Sequence, residues 1–168
     1  MSKTFFITLV TLFFSLSVSC QIRREFWGLT IGLSTKQQVY NTITRKGYKL
    51  TWSAERNTYE AKSIYFAGHF WPFFAFEIYN GRLMSITFLD ATLSTASETL
   101  DIVYDTFKTK LKTKYKGMEK PLLKDTYSDG ITSIDIMRYY VGGEKFISLG
   151  YTDEVLYDKY TKDGTDDL

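Results

Sequence analysis

Few residues of this chain have the types and spacing that do covalent chemistry. His69 is the single histidine among 168 residues, so a zinc site would have to be completed by carboxylates alone. The plainer reading is a histidine on a sheet surface or at an interface. Glu77 and Asp135 have strand parities that place both on one sheet face, where two neighbouring carboxylates could divide acid and base work. Two acids on a solvated face are common, however, and neither has perturbing neighbours in the sequence. Cys20 is the only cysteine and falls in an N-terminal apolar segment, which leaves the body of the chain without a thiol nucleophile, a disulfide framework or a cysteine metal cluster. Gly-x-Ser-x-Gly, P-loop and dinucleotide patterns are missing. Asp125-x-x-x-Asp129-Gly130 has the outline of a calcium loop. It carries Tyr127 at the third position and Ile136 at the twelfth, where oxygen ligands are needed, and so reads as a hairpin turn. The expectation is a non-enzymatic protein with no catalytic residue, no cofactor and no metal.

What the chain does concentrate is aromatic side chains, above all in residues 65–88, YFAGHFWPFFAFEIYNGRLMSITF. Read at period two, this stretch gives strands with one apolar face and one that mixes aromatic and polar groups. Ile64, Phe66, Phe74, Phe76, Ile78 and Ile86, with Ile134, Ile136, Ile147 and Leu149 from later strands, are the side expected under the helices. The opposite side is expected to carry His69, Trp71, Phe73, Glu77, Tyr79, Asp135, Met137 and Tyr139, among Ser85, Thr87, Ser133 and Ser148. Large stiff rings among hydroxyls and a few acids are what interface centres use. That face is therefore the candidate binding surface, with a protein or peptide as partner. Two alternatives stay open: a carbohydrate-binding protein or enzyme using Trp71, Tyr79 and Glu77, and a chain end folded over the face.

The elements that must hold this face follow from local signals. Ser34-x-x-Gln37 opens a helix whose buried stripe is Val39, Tyr40 and Ile43 and whose stop is Gly47. Tyr48, Leu50 and Trp52 alternate as a strand, and Tyr59 to Ser63 is a polar lead-in to the aromatic stretch. Ile64 to Trp71 reads as one strand, Pro72 as an interruption, Phe73 to Tyr79 as a second strand, and Asn80-Gly81 as a type I′ hairpin into a third. Thr95-x-x-Glu98 opens a longer helix to about Tyr115, with Ala96, Leu100, Val103, Phe107 and Leu111 as its stripe. Strands over 122–128, 131–141 and 145–152 follow, turned at Asp129-Gly130 and Gly142-Gly143. Residues 154–168 are a charged tail expected to fray.

Residues 1–20, MSKTFFITLVTLFFSLSVSC, have Lys3 ahead of an apolar core shorter than a membrane span, the form of a secretory signal peptide. Export to the periplasm or the extracellular space is expected. Cleavage after Cys20 gives a soluble protein starting at Gln21. Cleavage before it gives a structural envelope lipoprotein with Cys20 lipidated, and only then is a membrane a partner. The formal charge of +2, about +1 without Lys3, gives no electrostatic support to nucleic-acid binding.

Residues 21–153 divide into two matching parts, about 26–92 and 94–153, each running helix, lysine, glycine stop, then hairpin strands. Ser85 aligns with Ser148 and Asp90 with Asp153 at an offset of 63 residues. The fold class expected is α+β: one domain of tandem helix-plus-antiparallel-sheet modules, with the helices packed on one face of the sheet. FWGLTIGLSTKQQVYNTITRKGY (26–48) and the late ISLGYTDE resemble small exported bacterial domains of the beta-lactamase-inhibitor-protein-like and SmpA/OmlA-like class. The resemblance spans roughly Gly28 to Asp153 and implies a protein-binding or assembly role through the exposed sheet face. It assigns no functional residue.

Overall fold

The computed structural model describes residues 21–92 and 97–165. The chain runs β1 (Glu25–Phe26), β2 (Leu29–Thr30), α1 (Lys36–Arg45), β3 (Thr51–Ser53), β4 (Thr58–Phe66), β5 (His69–Tyr79) and β6 (Arg82–Thr92). It continues through α2 (Ser97–Lys114), β7 (Thr126–Ser128), β8 (Thr132–Val141), β9 (Glu144–Asp153) and α3 (Glu154–Thr165). Strands β3 to β9 form one seven-stranded antiparallel sheet in the order β3-β4-β5-β6-β9-β8-β7, and β1-β2 is a separate ribbon. The fold is α+β, and its two modules, α1 with β3–β6 and α2 with β7–β9, join where β6 pairs with β9.

The inner face of the sheet carries the core. Tyr40 of α1 meets Tyr59, and Phe107 of α2 packs at 5.5 Å on Trp71, so both helices cover the same face. Between them the N-terminal ribbon inserts Phe26, fully buried and 4.6 Å from the Tyr151 ring, and Trp27 leans on Phe66, Phe76 and Phe88. Every inner-face residue expected from parity is buried or packed against the core. In α2 the buried stripe is Leu100, Tyr104, Phe107 and Leu111, with Tyr115 buried just past its end and Val103 half-buried beside it. Thr95 and Ala96 lie outside the described residues, as do 1–20 with Lys3 and Cys20.

Three local expectations are corrected. The first-helix cap is Thr35: its hydroxyl accepts from the Gln38 amide, and the Gln38 side chain accepts from the Thr35 amide. Ser34 instead accepts from the Thr30 amide and braces the turn before the helix. Residues 154–165 are helical, because the Asp153 carboxylate accepts from the Leu156 amide and caps the turn.

The third correction decides the site. Ile64 to Trp71 is no single strand but a hairpin turned at Ala67-Gly68, where both residues have positive φ (54° and 86°). Tyr59 to Ser63 is thus the body of β4. Across a two-residue turn the flanking residues face the same way, so His69 pairs with Phe66 and Trp71 with Ile64 on the inner side. Further along, Ser63 (φ 65°) stands across from Pro72, which has no N–H to give the ladder. The alternation slips there in both strands, returning Ala61, Phe74 and Phe76 to the inner face.

The two modules also place matching acids alike. Asp90, which aligns with Asp153, is buried on the inner face and lies 2.8 Å from His69 Nε2. Asp153 is buried on the same face and pairs with Arg24 Nη2 at 2.6 Å. Gly32 (φ 84°) passes so close to this second pair that a Cβ would stand 2.2 Å from the carboxylate.

Candidate functional site

The outer face is built from rows of cross-strand neighbours. One row runs Glu77, Ser85, Thr152, Ser133, Ser128 from β5 to β7. The next runs Ala75, Thr87, Gly150, Asp135, Thr126, and a third runs Lys62, Phe73, Leu89, Ser148, Met137. The fourth is Ala91, Phe146, Tyr139. The first two rows are polar and the last two mainly apolar.

Helix α3 swings from the end of β9 over the polar end of this face. Ser128 donates to Glu154 at 2.9 Å, and Lys120 pairs with the same carboxylate. At the far end of the helix the Tyr79 hydroxyl donates to Asp163, and its ring meets Tyr160 at 5.6 Å. Helix and residues 120–126 wall a groove of about 440 Å³ whose floor includes Thr87, Ser133, Asp135, Ser148 and Gly150. Glu77 also lines it, its carboxylate accepting from Ser85 at 2.6 Å.

Asp135 sits differently from the other acids. One oxygen, Oδ2, is buried and has no hydrogen-bond partner among the described residues. Burial alone pushes its pKa up from 3.8 to about 6, since the charged form has lost water and gained no donor. The space comes from Gly150 opposite, where a Cβ would stand 2.7 Å from Asp135 Oδ1. Ser148, 3 % exposed, lines the same groove, and its Oγ likewise has no partner among the described residues. A larger hollow of about 720 Å³ beside Asn80 and Tyr160 is lined by neither of these atoms.

Beyond the groove the face is open. Phe73 is 40 % exposed, Met137 52 % and Tyr139 37 %, with Tyr139 stacked on Phe146 at 5.4 Å. Lys62 reaches over the Phe73 ring at 5.5 Å. Tyr65 and Phe70, paired at the hairpin tip, are also exposed. Neither was among the expected binding residues: one-strand parity puts Tyr65 with His69 and Trp71, while Phe70 reaches the outer face only through the turn at Ala67-Gly68.

Of the eight residues expected on the binding face, six stand on it: Phe73, Glu77, Tyr79, Asp135, Met137 and Tyr139. Trp71 does not: it is fully buried, donates from Nε1 to the Phe66 carbonyl at 3.1 Å, and packs on Phe88 and Phe107. His69 lies beside it on the inner side at 4.8 Å. Tyr79 is on the outer face but is occupied by α3. A sugar platform of Trp71 and Tyr79 around Glu77 is therefore not assembled. Glu77 and Asp135 share the face, yet β6 and β9 lie between their strands, about 14 Å at three strand spacings, so they form no carboxylate pair. Among the described residues no three His, Cys, Asp or Glu side chains group to hold a metal ion.

No family model, curated protein or solved structure matches the chain.

Proposed function

We propose that the chain is an exported, non-enzymatic binding domain whose outer sheet face receives a protein or peptide. The observation that carries this reading is the open apolar end of that face, where Phe73, Met137 and Tyr139 lie contiguous through Leu89 and Phe146. Rigid strands hold these side chains, so little is lost in ordering them when a partner covers them. Past Ile136, whose amide donates to the Asp125 carbonyl, the outer edge of β8 is unpaired among the described residues, so an extended segment could also bond to that backbone. The likeness to small exported inhibitor-like domains implies the same kind of role.

Export rests on the N-terminal sequence. Ile22 is buried, and its amide donates to Asp129 at 2.9 Å, so Gln21 alone would separate Cys20 from the folded body. A lipid on Cys20 would hold the domain hard against the bilayer, which favours the soluble form. Intact mass and fractionation test this: Gln21 as the first residue is expected, and a diacylated Cys20 would replace the soluble form with the lipoprotein.

The binding reading is tested by comparing partner capture by the wild-type chain with that by Phe73→Ala/Tyr139→Ala. Loss of a defined partner on the double substitution, with the melting temperature held within a few degrees, is expected. Capture that is unchanged would remove the open face from the function.

A further inference from the structure

Resting on that reading, we infer that the groove beside the open face takes one cationic group on an alkyl stem, an ammonium or a guanidinium. Four carboxylates line it, Glu77, Asp135, Glu154 and Asp158, against one cation, Lys120, which is already paired with Glu154. Excess negative charge of this kind would by itself mean only a solvated acidic surface. The second observation is the pair of unpartnered acceptors on the floor, Asp135 Oδ2 and the nine-tenths buried Ser148 Oγ. A buried acceptor without a donor is costly, and each such atom in a native fold calls for a partner.

Their placement fits a donor fork. Asp135 faces Gly150 across β8 and β9, and Ser148 is two residues along on the same face, a diagonal neighbour at about 7 Å. With no side chain at Gly150, the Asp135 carboxylate lies over β9, the strand that also carries Ser148. Met137 and Leu123 on the groove wall suit a methylene stem, as lysine and arginine stems need. A metal ion fits less well, since the carboxylates are spread round the groove and not converged on a point. Met137 belongs to both groove and open face, so a peptide lying on the apolar rows could drop a basic side chain into the groove. A free aliphatic amine offers the same chemistry.

The test is an NMR titration of the folded chain with n-butylguanidinium and with its neutral isostere n-butylurea. Saturable shifts at Ser148 and Gly150 with the guanidinium, and at least tenfold weaker binding of the urea, are expected. Asp135→Asn should lose tenfold or more and Ser148→Ala severalfold, both retaining a native spectrum. No saturable shift, equal binding of the urea, or indifference to Asp135→Asn would each overturn the assignment. The source is separated with the capped peptide Leu-Phe-Arg-Phe-Leu. Binding tenfold tighter than the small probe, lost in Phe73→Ala/Tyr139→Ala, supports a side chain of a peptide partner. Binding no tighter than the probe supports a free amine, and then the peptide reading fails while the groove assignment stands.

Discussion

Gly150 and Asp135 are direct cross-strand neighbours, and the carboxylate occupies the space a side chain at 150 would fill. Gly150→Ala should therefore cost about 2 kcal/mol through overpacking. The cost should shrink when Asp135 is also cut to Ala, because the clash is between these two residues. A denaturant double-mutant cycle measures it, and additive losses would mean the strand and not the carboxylate resists the methyl group.

Asp135 should also make stability depend on pH in an unusual direction. Its folded pKa is raised to about 6 from the ordinary 3.8, so between these values the folded state binds more protons than the unfolded one. Stability from this residue is full below about pH 4 and is lost as pH rises through about 6. Glu77, Glu154, Asp158 and Lys120 face the same groove and are common to both proteins compared. Asp135→Asn should be more stable than wild type at pH 7, by about 2 kcal/mol, with the gap closing by pH 4. Urea melts across pH 4 to 7 check this, and a gap that widens on acidification would be the wrong sign.

Trp71 belongs to the core and should behave so. Trp71→Ala is expected to cost ~3–5 kcal/mol, as is Phe76→Ala, through transfer and cavity terms. Phe73→Ala, one strand position past Pro72, should cost about 1 kcal/mol or less. Thermal melts that reverse Trp71 and Phe73 would exchange the two faces of β5.

The part-buried Arg24–Asp153 pair ties the N-terminal ribbon to the start of α3. Asp153→Ala leaves the part-exposed guanidinium with only the Ile31 carbonyl to bond and removes a helix cap, and should cost about 2–3 kcal/mol. Arg24→Met/Asp153→Ala should recover part of that loss, since no charge is then left unpaired. Equal losses in the single and double variants would mean that the cap alone matters.

The ease of reading differed between the two halves for a physical reason. In the second half, Asp129-Gly130 and Gly142-Gly143 mark turns with residues that favour positive φ, and the parities of Ile134, Ile136, Ile147 and Leu149 fall where expected. In the first half the turn is Ala67-Gly68. Alanine gives no turn signal, whereas Pro72 gives a strong one inside a strand. Reading the break at Pro72 left Phe74, Phe76, Glu77 and Phe73 correct and put His69 and Trp71 on the wrong side, because parity is lost at the turn and again at Ser63 and Pro72. Coverage of the polar rows by α3 left little trace either: the tail's charges read as a solvated end, while Tyr157 and Tyr160, spaced by three on one helix face, were the available sign. The unpartnered oxygens of Asp135 and Ser148 depend on distances between strands that no sequence pattern reports.

The central claim is that the open outer face is where a partner sits. Photo-crosslinking side chains placed singly at Phe73 and Tyr139 test it most directly, with Ile102, exposed on α2 at the opposite side of the sheet, as the control position. In extracts of the cells that produce the protein, positions 73 and 139 are expected to join the same single polypeptide and position 102 to join none. Crosslinks of equal yield from all three positions, or crosslinks from 102 alone, would contradict the claim.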